Sequence, residues 1–559
     1  MQGEEKSQSL RDREEFVARV QGVLREPIRE FLMNQPAADA LSVNWASFWT
    51  MEVCNAVGMT TMQVWAELLE LAAVEVGLNC PVCEEKRRIS WRANEPLWVD
   101  LFFGRLSIGK PYLSCVTENC SGRPLSVTRL LSGLRSGASD LVLKLQAARQ
   151  GAEQSYGKAA RSLEEHPLGG RVERGKVRRL AIQVEDQADE YQERRRRSSA
   201  AVSGEPADNA VGVLVLEGDG GKVRAATYRI PEPGEKGYAE KTPVRNLPRR
   251  RREIEGREVI TLDVREPQDK TATALDALVP ATSPDGERQR LMFSLARRKG
   301  LGPETEIYGL GDMGSGLAEA FDEAFAEYTG FWQADLKHTR NYVDAVVPVL
   351  EGLDTEGWRK AMWAAIMDRN ETDRDALLQQ AQHHRITTLP ADLKCPVHAL
   401  TTYLGNNWEH MHFRELKDRG LPVVSARAES QVRDRTKARF SVAGAWSLEN
   451  IEPKAILRSI IAEGSFPEFA KWLYSKEQQS FVLGLKERVE KAVEERRLDA
   501  KAAVLLADTN TKLGDLLEFR NPTERRSEGA SLIRMPGVAV NDNRPDQVHN
   551  DTLHEALTA

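Results

Sequence analysis

The stretch Val211-GVLVLEGDGGKV-Arg224 decides how this chain is read. Its apolar run through Leu216 has the length and β-branched content of a buried strand, and it leads to a carboxylate, Asp219, followed by glycine. The same grammar returns in Glu306-IYGLGDMGSG-Leu317, where Asp312 follows an apolar run and Gly311. A third acid, Glu429, sits in the basic segment Leu421-PVVSARAESQVRD-Arg435. Two strand-end aspartates and a helical glutamate are what a two-metal phosphoryl-transfer site requires, since its oxygen ligands must be held rigidly and still leave room for a phosphate. Each acid also has a plain structural reading. Asp219-Gly220 fits a hairpin turn, Asp312 fits a cap on the helix after it, and Glu429 fits an ion pair with Arg433 one turn on.

Outward from Ala210 the pattern is α/β. It predicts a strand through Leu216, a second from Lys222 to Ile230 and a third at Arg257-EVITLD-Val264. Residues Glu266 to Asp285 read as a loop, then a helix over Arg288 to Lys299 precedes the strand that ends at Asp312. A helix from Gly316 to Tyr328, a short strand from Gly330 to Asp335 and long helices from about His338 to Gln382 follow. In a ribonuclease H-like fold the first strand is central, the strand with the second acid lies beside it, and a later helix brings the third acid. That order is the one this pattern offers, so residues 210–466 are assigned to a ribonuclease H-like α/β catalytic core.

The fold class is therefore multidomain α and α/β. Residues 1–78 read as a helical extension, 79–123 as a zinc ribbon and 124–193 as a helical, helix-turn-helix-like region. Residues 194–209 read as a polar linker, 467–518 as a helical C-terminal region and 519–559 as a disordered tail. In the ribbon, Cys80-x2-Cys83 and Cys115-x4-Cys120 form two knuckles with turn residues nearby, and four thiolates fill a zinc tetrahedron without leaving an open position. That zinc would staple a domain too small to fold on its apolar surface alone. Cys395-Pro-Val-His398 lacks a second cysteine pair and reads as ordinary packing, as does Cys54. In the helical region Ser155-YGKAA begins a helix, Gly169-Gly170 a turn, and the next helix carries Arg174, Lys176, Arg178 and Arg179 near its start. This is the arrangement of a helix that reads DNA, and equally that of a helical hairpin with a solvated face.

The chain has 559 residues, too many for one core. Its 78 basic and 84 acidic residues leave a net charge of −6, which argues against a polycation that coats DNA. Binding then depends on local patches: Arg194–Arg197, Arg249–Arg252 and the run around Glu429. The first residues are too charged for a secretory signal and no long apolar run exists, so no membrane association and a cytoplasmic location are expected.

Six blocks in order give the chain a resemblance to the ISKra-type insertion-sequence DDE transposases over about Cys80 to Phe466. They are the cysteine knuckles with the leucine-rich Pro124 to Leu134 and the Ser155-YGKAA helix, Asp219-GGKV-Arg224, Gly311-Asp312, Ala334-DLK-His338, Tyr403-LGNNWEHMH-Phe413 with Gly420-LPVVSARA-Glu429, and Ala445-WSLENIEPKAILR-Ser459. Where the family has Gly-Ser-Gly shortly before the glutamate, this chain has Val424-Ser425-Ala426. Glu217 is a second candidate for the first acid, and Asp219 is preferred because its Gly-x-x-Val-Arg continuation is the matching part. The resemblance implies a bacterial, nucleoid-associated transposase that binds terminal inverted repeats. It would cleave and join DNA with magnesium or manganese held by Asp219, Asp312 and Glu429. It further implies double-stranded DNA ends and target as partners and a homo-oligomer on DNA. Arg427, Arg433, Arg435 and Lys437 are expected on phosphates, Asp335 and His338 beside the metals, and Trp446 in the core. The alternatives kept open are a domesticated, non-catalytic zinc-containing DNA-binding protein and a nuclease without strand transfer.

Overall fold

The computed structural model describes residues 62, 79–499 and 503, except 92–95, 103, 136, 167–170, 202–209, 230–250, 270–273, 281–285, 315, 351, 389–395, 432–439 and 441–445. The helical extension expected over 1–78 (apart from residue 62), the tail at 519–559, and Cys54, Cys395, Arg433, Arg435 and Lys437 lie outside the described residues. The chain divides into two compact units. One comprises Met1–Gln150, Tyr156–Leu180 and Ala470–Ala559, the other Gly151–Ser155 and Ala181–Phe469.

The first unit opens with short strands: β1 (Arg88–Trp91), β2 (Leu97–Leu101), β3 (Gly104–Ile108), β4 (Pro111–Ser114) and β5 (Leu125–Ser126). Helix α1 (Val127–Ser132), β6 (Ala138–Ser139), α2 (Leu141–Glu153), α3 (Tyr156–Glu165) and the start of α4 (Arg174–Ala201) follow, α4 belonging to the second unit from Ala181 on. The strands form two three-stranded sheets, β1-β4-β5 and β3-β2-β6. Alternation in β2 and β3 turns Leu97, Val99, Leu101, Leu106 and Ile108 into one small core. Asp140 starts α2 by accepting from Leu143 N at 2.7 Å and also ties down Phe102 N at 3.2 Å. Phe102, Leu143, Ala159, Leu163 and Val177 pack as a second cluster.

The second unit is built on one six-stranded mixed sheet. Its strands are β7 (Val213–Arg229), β8 (Arg251–Arg265), β9 (Ala274–Leu278), β10 (Glu306–Gly311), β11 (Trp332–Ala334) and β12 (Trp446–Ser447). The order is β11-β10-β7-β8-β9, with β12 pairing β7 further along. β10 runs parallel to both β7 and β11, whereas β7-β8 and β8-β9 are antiparallel.

Helices α5 (Glu287–Arg298) and α6 (Leu317–Ala324) cover one face of this sheet. There Leu214, Leu216, Ile260 and Leu262 meet Leu291, Leu295 and Phe321. The other face carries α7 (Leu336–Val346), α8 (Thr355–Met367), α9 (Glu371–Thr388), α10 (Pro396–Asn407) and α11 (Phe413–Asp418). Val215, Tyr308 and Ala334 join their core. Farther along the same face Val223, Ala225 and Val259 pack on Phe440 and on Ile451 and Ala455 of α13 (Ile451–Glu463), which follows α12 (Ala426–Gln431). Trp446 packs edge-on against Phe440 at 5.5 Å between ring centroids, a core role. The last helix is α14 (Phe466–Glu494), which from Ala470 onward belongs to the first unit.

Three local expectations are corrected. The two strands expected around Asp219 are one, β7, so Asp219 lies in mid-strand opposite Thr261 instead of in a hairpin turn. The stretch Glu266–Asp285 is not all loop, because it holds the edge strand β9. The linker does not begin at Arg194: α4 continues to Ala201. Within that helix Arg196 is buried against Asp276 and Glu287, each at 3.0 Å, and Arg195 pairs with Glu463 at 2.9 Å. Arg196 is thus buried and Arg195 half-buried, each tied to an acid of the fold.

Candidate active site and metal centre

The cysteine knuckles converge. All four sulfurs of Cys80, Cys83, Cys115 and Cys120 lie within 4.8 Å of one another, with Cys80–Cys120 at 3.7 Å and Cys83–Cys115 at 3.4 Å. A tetrahedron with zinc–sulfur bonds of about 2.3 Å has edges of roughly 3.8 Å, so the donor set fits the ion. The turns that deliver it are specific. Glu84 and Asn119 take left-handed backbone (φ 62 and 63), Cys80 N donates to Glu85 O at 2.9 Å, and a side chain at Gly122 would run into Cys80 Sγ. A hydrogen bond with the Thr117 hydroxyl and another from the backbone N–H of Glu85 hold the Cys83 thiol down to about 6, while burial and the neighbouring cysteine sulfurs push the Cys120 thiol up. This four-cysteine group could hold a zinc ion.

The acidic site grows from one row of the sheet. In the parallel part, Gly218 of β7, Gly311 of β10 and Ala334 of β11 are in register. The next residues are Asp219, Asp312 and Asp335, so three aspartates follow one row, Asp219 within β7 and the other two just past the ends of β10 and β11. At this row β10 and β11 end while β7 runs on with β8, which opens the sheet beside Asp219. Such an opening at the carboxyl ends of parallel strands is where α/β sheets place ligands. The glycines in the row serve close packing: a Cβ on Gly311 would strike the Gly218 carbonyl, and one on Gly218 would lie 2.8 Å from Leu317 Cδ1.

A cavity of about 470 Å³ lies at this opening, and Asp219, Asp312, Glu429, Lys337, His338 and Asn341 are among the residues that line it. The structure thus brings the three sequence-selected acids to one cavity. Glu429 comes from α12 and Lys337, His338 and Asn341 from α7. Their carboxylate oxygens are not drawn together as tightly as the four sulfurs, which form the one such group among the described residues. Glu429 instead engages the Lys337 ammonium, and His338 Nδ1 stands 3.8 Å from Asp312 Oδ1. The hydrogen bond to Glu429 raises the Lys337 pKa, with Asp335 and Asp219 adding to it. Asp312 does not cap the helix after it, since the cap residue of α6 is Gly316 and no side chain caps it. Behind α7, Tyr403 bonds Thr339 Oγ1 at 3.2 Å, and burial pushes its phenol up to about 12, with the charges of Asp312 and Asp335 adding.

Two buried acids seat the elements that carry the lining residues. Asp335 caps α7 by accepting from His338 N at 2.8 Å, and its other oxygen takes both N–H and hydroxyl of Ser425, the latter at 2.7 Å. One carboxylate therefore fixes the start of α7 and the loop into α12. Glu217 is 1% exposed, pairs with Arg265 and accepts from Ala428 N at 3.1 Å. It holds α12 from below and is fully engaged, whereas Asp219 faces the cavity.

The basic residues fare differently. Arg427, expected on a phosphate, turns inward to Asp263 at 2.8 Å and helps seat α12 on β8. Lys176, expected on DNA, pairs with Asp100 within its own unit, while Arg174, Arg178 and Arg179 are exposed. Sequence reasoning missed Lys337, although it stands inside the quoted Asp-x-x-His segment, and it missed Asn341 and the anchoring role of Ser425. A cation two residues after a strand-end acid, Asp335, was the available signal for Lys337. No helix among the described residues is long and apolar enough to cross a membrane. The chain matches no protein-family model and no curated protein.

Proposed function

We propose that this protein is a DNA transposase that cleaves and joins DNA at the cavity of Asp219, Asp312 and Glu429. One observation carries the reading: the three acids, chosen from distant stretches of sequence, line one cavity where the sheet opens. The strand order supports it, because β7 is central, β10 lies beside it and a later helix brings Glu429, as in a ribonuclease H-like core. The ordered resemblance to ISKra-type transposases adds the substrate class. Asp219, Asp312 and Glu429 would hold magnesium or manganese, which when bound supplies charge neutralisation at a phosphodiester and an activated oxygen nucleophile.

The protein's own groups have distinct tasks. Asp219 and Asp312 are held by adjacent strands, so their separation is set by the sheet and not by side-chain freedom. Glu429 approaches from a helix anchored through Ser425 and Ala428. Lys337 offers a cation to a phosphate entering the cavity, and His338 places its ring beside Asp312. The zinc-binding region and the exposed arginines Arg174, Arg178 and Arg179 would grip terminal inverted repeats, in a homo-oligomer that pairs two DNA ends.

The test is magnesium-dependent cleavage of a duplex that carries the element's own end. Wild-type protein should nick it, and Asp312→Asn should reduce the rate by about 10³-fold or more while DNA binding persists. Binding without cleavage by the wild type under any divalent ion would leave a non-catalytic DNA-binding protein as the function.

A further inference from the structure

The first unit has a second cavity, of opposite charge to the acidic one. It measures about 580 Å³, and three arginines, Arg129, Arg135 and Arg488, line it against a single acid, Glu487. Arg129 stands in the last turn of α1 and Arg488 on α14. Gly133 ends α1 with a φ of 65, and a Cβ built there would sit 2.8 Å from Cζ, 2.8 Å from Nη1 and 2.9 Å from Nη2 of Arg488. Near-equal distances mean that the guanidinium lies face-on against the glycine, which fixes its plane.

The acceptors nearby are already used. Thr128 O takes the Ser132 hydroxyl at 2.7 Å, Arg129 O takes Gly133 N at 2.9 Å, and Leu130 O takes Arg488 Nε at 3.0 Å. Arg488 Nη2 is buried and has no hydrogen-bond partner among the described residues. Burial lowers the pKa of this guanidinium despite the neighbouring Glu487, and its carbon lies 5.8 Å from the Phe481 ring centroid. A planar fork held at one end, with a donor left over and two more guanidiniums at the rim, suits the paired oxygens of a phosphate. Arg129 and Arg135 are exposed, so a phosphate attached to a larger molecule can enter.

We propose that the Arg129–Arg135–Arg488 cavity is an oxyanion site that takes a phosphodiester of the DNA backbone. The choice of DNA as the source rests on the transposase reading, whereas the oxyanion site itself does not.

The experiment uses the full chain, wild type and the surface double variant Arg129→Gln/Arg135→Gln, with Arg488→Lys as a third form that keeps the charge and loses the fork. Inorganic pyrophosphate at low chloride should raise the melting temperature of the wild type and leave the double variant unmoved. Duplex DNA, followed by fluorescence anisotropy against salt, should bind the double variant about tenfold more weakly, with a log–log salt slope shallower by about one. Equal DNA affinity and slope in both proteins, with no pyrophosphate effect, would overturn the site even if Asp312-dependent cleavage is seen. Pyrophosphate protection lost in the variant, in a protein that binds no DNA, would keep the oxyanion site and sink both its DNA source and the transposase reading. Protection lost while DNA binding is unchanged would make the ligand a free phosphate and overturn the DNA assignment alone.

Discussion

At the scale of single residues, Asp335 and Gly311 carry more of the site's geometry than their chemistry suggests. Asp335 is fully buried behind the cavity lining, where it satisfies His338 N, Ser425 N and Ser425 Oγ. Replacing it by Ala strands three donors in a buried place, and an unfolding-free-energy loss of at least about 2 kcal/mol is expected in urea melts. Ser425→Ala removes only the hydroxyl and should cost about 1 kcal/mol by the same measure. That difference also bears on the segment Val424-Ser425-Ala426, since the serine is the member that anchors the loop. Gly311→Ala is a packing test: its methyl has nowhere to go but the Gly218 carbonyl and the Trp332 ring. A loss of roughly 1–3 kcal/mol is expected, and a melting temperature equal to wild type would show that the two strands can part at this row.

At the scale of elements, the sequence was readable where the signal is local. The apolar runs of β7 and β10 declare themselves, and the cysteine pairs declare the knuckles. Asp219-Gly220 reads as a hairpin turn because glycine usually breaks a strand, but here the two residues sit opposite Thr261 and Ile260, inside a ladder that β8 continues on both sides. β9 was illegible for another reason. All five of its residues are buried, so it has no inside–outside alternation to reveal it. The arginine run in α4 looks like a linker only because its counter-charges, Asp276, Glu287 and Glu463, lie far along the chain. The same distance hid the inward turn of Arg427 toward Asp263. Arg196→Met tests this reading: it would leave Asp276 and Glu287 buried without their cation, at a cost of about 3–5 kcal/mol in denaturant unfolding. A solvated linker arginine would change stability by less than about 0.5 kcal/mol.

At the scale of the whole molecule, each unit has its own cores, and only one of them holds the four cysteines. Calorimetry with a strong zinc chelator should therefore lower or abolish one transition and leave the transition of the sheet-bearing unit in place. A uniform shift of a single transition would show instead that the two units unfold as one. The net charge of −6 adds that any grip on DNA comes from local arginines and weakens steeply with salt. The row of Gly218, Gly311 and Ala334 has a consequence in time as well as in space. Two of its aspartates are in place once β10 has formed, but the third carboxylate at the cavity arrives only with α12, seated by Ala428 on Glu217 and by Ser425 on Asp335. During synthesis, a chain that has not yet emerged past Gln431 holds an incomplete set of acids, so a message cut short anywhere between Asp312 and Glu429 yields a protein with its central strands and without the full set.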